Sequence, residues 1–112
     1  MLKKNRYDDL LLLTIETPRL TAANAPTFRQ AVFEIVAAGD TRLVLDMKDV
    51  SFVDSTGLGA LVGVLKQMGT RGELAICSLQ RPVEQMFKLT RMDRVFRIFA
   101  DADAARAAIE LA

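Results

Sequence analysis

Hydrophobic residues along this chain fall into short continuous runs separated by longer amphipathic stretches, with glycine, proline or a small polar residue at most boundaries. Residues 10–15, Leu-Leu-Leu-Leu-Thr-Ile, are apolar at almost every position, the pattern of a strand buried on both faces. Leu2–Tyr7 can pair with it as a short hairpin through Asp8-Asp9. Thr17-Pro18 then breaks the run. Asn24 and Pro26 make a helix start: a capping side chain, then a residue whose missing N–H is no loss in the first turn. The helix expected over 25–38 puts Phe28, Val32, Ile35 and Val36 on one face, leaves Phe33 off it, and ends at Gly39-Asp40.

Arg42–Met47 carries Leu43, Val44 and Leu45 in a row, as a central strand covered on both sides does. Val50–Val53 is a further short apolar piece beyond the polar pair Lys48-Asp49. A helix is expected from about Gly57 to Met68, closed by Gly69 and Gly72, with a buried strand over Glu73–Leu79 after it. Pro82 opens a short helix with Val83, Met86, Phe87 and Thr90 on its inner side. Val95–Phe99 is expected as the last strand. Asp101 or Asp103 then caps an alanine-rich helix that buries Ala105 and Ile109. This alternation predicts an α/β layer fold with a largely parallel sheet, in one domain over residues 1–112.

Composition narrows the chemistry more than the fold. With 51% hydrophobic and 26% charged residues, the chain can build one ordinary core. Fifteen basic residues against 14 acidic ones give a net charge of +1, no footprint for nucleic acid or an anionic membrane. No apolar run approaches the roughly 20 residues of a membrane span, and the N-terminus lacks the apolar segment of a secretory signal, so a cytoplasmic location is expected. The single cysteine, Cys77, lies in an apolar stretch and is expected to be a buried thiol. The chain has no histidine, which excludes Ser-His-Asp and Cys-His catalysis and histidine-based zinc sites. A carboxylate-only metal site stays open, although no acidic cluster has the spacing of a calcium loop; neither a metal nor a cofactor is expected.

The stretch that stands out is residues 50–60, Val-Ser-Phe-Val-Asp-Ser-Thr-Gly-Leu-Gly-Ala. A strand passing directly into a helix presents hydroxyls and free backbone N–H groups together. Asp54, Ser55 and Thr56 are ordinary helix caps, yet Gly57, Gly59 and Gly63 each cost up to about 1 kcal/mol relative to alanine inside a helix. A plain cap and a functional loop both remain open on this pattern. The helix has a second oddity. Helical spacing puts Leu58, Leu61, Val62, Leu65 and Met68 inward and leaves Ala60, Gly63 and Val64 on another side, either covered by a neighbouring helix or free for a partner. Enzyme motifs do not fit. The glycines miss the dinucleotide fingerprint, no Lys-Ser/Thr completes a phosphate loop, and Gly-x-Ser-x-Gly is absent. Asp54-Ser-Thr-Gly has one residue more than an aspartic protease motif and no second copy, and the acidic pair and lysine of a response-regulator receiver are not in place.

Residues 43–59, Leu-Val-Leu-Asp-Met-Lys-Asp-Val-Ser-Phe-Val-Asp-Ser-Thr-Gly-Leu-Gly, resemble the STAS domain of bacterial anti-sigma factor antagonists. Ala22–Arg29, Gly72–Cys77, Pro82–Thr90 and Phe96–Phe99 extend the resemblance over almost the whole chain. It implies a single STAS-type domain, a mixed, mostly parallel sheet of about five strands flanked by four helices. It also implies partner switching without enzymatic activity. The unphosphorylated antagonist binds a kinase-type anti-sigma factor, is released when that kinase uses ATP to phosphorylate the signature serine, and is reset by a serine phosphatase. Carried onto this chain, the phosphoacceptor is Ser55. The partner-binding surface is Thr21, Asn24, Asp54, Thr56 and Gly57 with Leu58, Ala60 and Val64 of the following helix. Where the family commonly has an Asp after the residue at Leu20, this chain has Thr21. The alternative within the same family is a non-switching scaffold or accessory subunit of a stress-signalling or lipid-transport complex.

Overall fold

The structure, a computed structural model, describes residues 1–110. Strands β1 (Leu2–Tyr7) and β2 (Leu10–Ile15) form the antiparallel hairpin, turning at Asp8 with φ 55, a backbone state that aspartate tolerates better than most residues. A two-residue strand β3 (Arg19–Leu20) leads to helix α1 (Ala25–Ala37). Then come β4 (Arg42–Asp46), β5 (Phe52–Val53), α2 (Ser55–Met68), β6 (Glu73–Cys77), α3 (Arg81–Leu89), a 3-10 turn at Met92–Arg94, β7 (Arg97–Phe99) and α4 (Ala102–Glu110).

The main sheet has the order β1-β2-β4-β6-β7, antiparallel at the first pair and parallel elsewhere. Its three inner strands are apolar at consecutive positions because both faces are covered. Leu11, Leu13, Ile15, Leu43, Leu45, Leu74 and Ile76 face a large core with Phe28 and Val32 of α1, Leu61 and Val64 of α2 and Phe87 of α3. The alternate residues Leu10, Leu12, Val44, Ala75 and Cys77 face Ala105 and Ile109 of α4 on the other side. Three helices therefore share one face, and α4 covers the other.

The second sheet, two strands, was not foreseen. In it β3 runs parallel to β5, Arg19 opposite Phe52 and Leu20 opposite Val53. Arg19 also lies over the Phe52 ring, 4.2 Å from its centroid. This ladder brings the start of α1 and the start of α2 to one end of the molecule. Other differences from the sequence reading are local. The last strand begins at Arg97 because the N–H groups of Val95 and Phe96 bond back to Met92, and the Phe96 ring is buried 5.7 Å from Phe87. β6 stops at Cys77 because Ser78 takes φ 62.

Candidate functional site

Helix α2 starts two residues earlier than its glycines suggested, at Ser55, with Asp54 as its N-cap. The Asp54 carboxylate is bonded on both oxygens. Oδ1 accepts from the Gly57 N–H at 2.8 Å and Oδ2 from the Ala22 N–H at 3.1 Å. The Asp54 N–H in turn donates to the Leu20 carbonyl at 3.2 Å. One residue thus caps α2 and ties it to the loop before α1. The Gly57 N–H is the main reason this carboxyl sits below its ordinary pKa; desolvation opposes it, and the Ala22 and Thr56 N–H groups and the Arg19 charge add to it. Asp54 is therefore a fixed negative charge beside Ser55.

The opposite loop is held by Asn24. It occupies the N-cap position of α1 but makes no side-chain cap bond. Its Oδ1 accepts from the Thr21 N–H at 2.9 Å, and its Nδ2 donates to the Arg19 carbonyl at 2.8 Å and to Thr17 Oγ1 at 3.3 Å. The Thr21 carbonyl takes the N–H groups of Asn24 and Ala25. Asn24 folds the turn that carries Thr21 and Ala22 to Asp54.

Gly57 is buried for a reason the sequence did not disclose. A Cβ there would stand 2.2 Å from the Leu20 carbonyl oxygen and 3.0 Å from Val53 Cγ1, so only glycine lets β3 pass. Gly59 is the reverse case: exposed, with nothing within 4 Å of a Cβ. Gly63 faces the Arg29 side chain of α1.

These constraints leave Ser55 and Thr56 exposed in the first turn of α2. Ser55 opens on a concavity of about 490 Å³ lined with Leu58, Gly59, Gly63, Lys66 and Arg29 among others. Thr56 opens on a second one, between α1 and α2, with Pro26, Arg29, Phe33 and Gly59. Thr21, Asn24, Asp54, Ser55, Thr56 and Gly57 therefore belong to one joined pair of loops, Gly57 as a buried packing residue.

Two expected partner contacts are corrected. Ala60 is 5% exposed and Val64 is fully buried, both within the large core. The helix is rotated relative to the sequence reading because α1 packs on its flank, where Gln67 Nε2 donates to the Phe33 carbonyl at 3.0 Å. Leu58, Val62 and Leu65, expected inward, are only partly buried. Arg29, which lines both concavities, was missed; its signal is a cation placed one turn before Phe33, opposite a glycine of α2.

A family model described as STAS domain matches residues 1–105. The chain belongs to the STAS-domain family. Among relatives of this STAS domain, the anti-sigma-B factor antagonist of Bacillus subtilis (strain 168) is 33% identical over 82 residues, 71% of this chain and 73% of the relative. The crystal structure of an anti-sigma factor antagonist from Mycobacterium paratuberculosis superposes with a TM-score of 0.90 over 98% of this chain and 93% of that one, at 22% identity, a likeness of fold. The Bacillus protein SpoIIAA superposes with a TM-score of 0.71 in both its unphosphorylated and its phosphorylated forms. Its identities are 12% and 13%, over 96% of this chain in each case and 96% and 99% of theirs, again a likeness of fold.

Among the described residues, no helix is long and apolar enough to cross a membrane, and no group of His, Cys, Asp and Glu could hold a metal ion.

Proposed function

We propose that this chain is an anti-sigma factor antagonist of a partner-switching system, acting through residues 1–112 as one unit and without catalytic activity. Its unphosphorylated form binds a kinase-type anti-sigma factor in the cytoplasm; phosphorylation of Ser55 releases that partner, and a serine phosphatase restores binding. The observation that carries this reading is the presentation of Ser55. It is exposed at the first position of α2 while Asp54 uses both carboxylate oxygens to hold the loops on either side. Such a hydroxyl can enter another protein's active site without unfolding its own surroundings. The names of the relatives support the same role, and SpoIIAA supplies a STAS fold with a phosphorylated form.

The physics of release follows from charge. A phosphoserine carries about −1.5 to −2 charge, which a helix N-terminus tolerates, so the fold persists. The added bulk and charge fall on the docked partner instead, and every 1.4 kcal/mol of that penalty is about tenfold in affinity. The test is to recover the partner with the unphosphorylated chain, add ATP, and map the modification by mass spectrometry. One phosphate on Ser55 with dissociation of the complex is expected. A stable complex with unmodified Ser55 favours the scaffold role and overturns the switch.

A further inference from the structure

Arg29 stands between the two concavities next to Ser55 and has no counter-ion among the described residues. It reaches from α1 across α2. Its guanidinium carbon lies 4.7 Å from the Phe33 ring centroid, and a Cβ on Gly63 would meet its Nε at 2.9 Å and its Cζ at 3.1 Å. The group thus lies between an aromatic ring and bare helix backbone while remaining exposed. Lys66, farther along the same groove, also pairs with no carboxylate among the described residues. Neither concavity is lined by an Asp or a Glu. In a chain of net charge +1, this is a local excess of positive charge around an open floor at Gly59.

We propose that this groove docks an acidic segment of the protein that reaches Ser55, with one of its carboxylates paired to Arg29. The proposal rests on the partner-switch reading and adds the determinant that selects the partner. A guanidinium already placed against Phe33 and Gly63 loses less freedom on binding than one free in solvent and offers a planar fork that matches a carboxylate. A carboxylate is also the group for which two nearby cations without acids are complementary, and such complementarity fixes register and rejects wrong partners.

The test uses the purified kinase-type protein recovered above, titrated by calorimetry into the full chain at low and high salt. Arg29→Glu is expected to weaken binding by about tenfold or more and to flatten its salt dependence. Gly63→Ala improves helix propensity and leaves the thermal midpoint at or above that of the parent, yet displaces the guanidinium and is expected to weaken binding by roughly threefold or more. Changing one partner Asp or Glu to Lys restores the affinity of Arg29→Glu. Arg29→Glu binding within about twofold of the parent, with an unchanged thermal midpoint, overturns the docking. If Ser55→Asp still abolishes binding in that case, the switch stands and only the groove assignment falls. Unchanged binding of Ser55→Asp overturns the switch itself.

Discussion

The carbonyl oxygen of Leu20 occupies the space in which a side chain on Gly57 would begin, 2.2 Å from where its Cβ would lie. Strand β3 and the first turn of α2 are therefore joined at backbone distance, and the two loops around Ser55 keep one relative position. Gly57→Ala forces backbone apart and is expected to destabilise by about 1–3 kcal/mol in urea unfolding. Gly59→Ala, two residues on and open to solvent, is expected to stabilise by roughly 0.8–1 kcal/mol. Equal effects from the two substitutions would contradict this geometry.

The second tie between these loops is the Asp54 carboxylate, and it depends on pH. Its pKa is lowered in the folded state, so its contribution is fully present above the ordinary aspartate value of 3.8 and disappears as pH falls through the lower folded value. Asp54→Asn is expected to be less stable than the parent at neutral pH, with the gap closing in strong acid. Asp54→Ala frees the N–H groups of Gly57 and Ala22, and both should exchange faster with solvent in NMR hydrogen exchange.

Burial separates two residues of α2 that the sequence reading placed together on the partner surface. Val64 is fully buried, so Val64→Ala removes two core methyl groups and is expected to cost about 2 kcal/mol of stability while the folded fraction keeps its partner affinity. Leu58 is partly exposed in the concavity beside Ser55, and Leu58→Ala is expected to lower affinity more than stability. Calorimetric binding beside urea unfolding of both variants checks the contrast.

The sequence exposed the fold well wherever burial alone decided it. Leu10–Ile15 and Leu43–Leu45 are apolar on both faces because helices cover both faces, and the strands stand where that pattern put them. β3 was illegible because two residues beside a proline carry no periodicity; only their pairing with Phe52 and Val53 makes them a strand. The rotation of α2 was missed for a related reason. With apolar residues around most of its circumference, the helix does not declare its inner face, and α1 decides it. Ser55 was visible as part of a cap, but its exposure follows from Asp54 turning away toward Gly57 and Ala22.

Cys77 gives an independent check on the second core. Burial against α4 pushes its thiol up to about 11, with nearby Asp46 and Asp101 adding to the rise and Ser78 and Lys48 opposing it. The thiol therefore stays protonated at neutral and mildly alkaline pH. It is expected to resist alkylation in the folded protein and to react fully once urea unfolds it, followed by mass spectrometry.

Ser55 is proposed as the point at which this STAS domain is switched. The decisive measurement is calorimetric titration of the recovered kinase-type partner with the parent, Ser55→Ala and Ser55→Asp chains. Ser55→Ala is expected to bind about as tightly as the parent and Ser55→Asp to lose about tenfold or more, with all three equally folded. Equal affinity of Ser55→Ala and Ser55→Asp would contradict it.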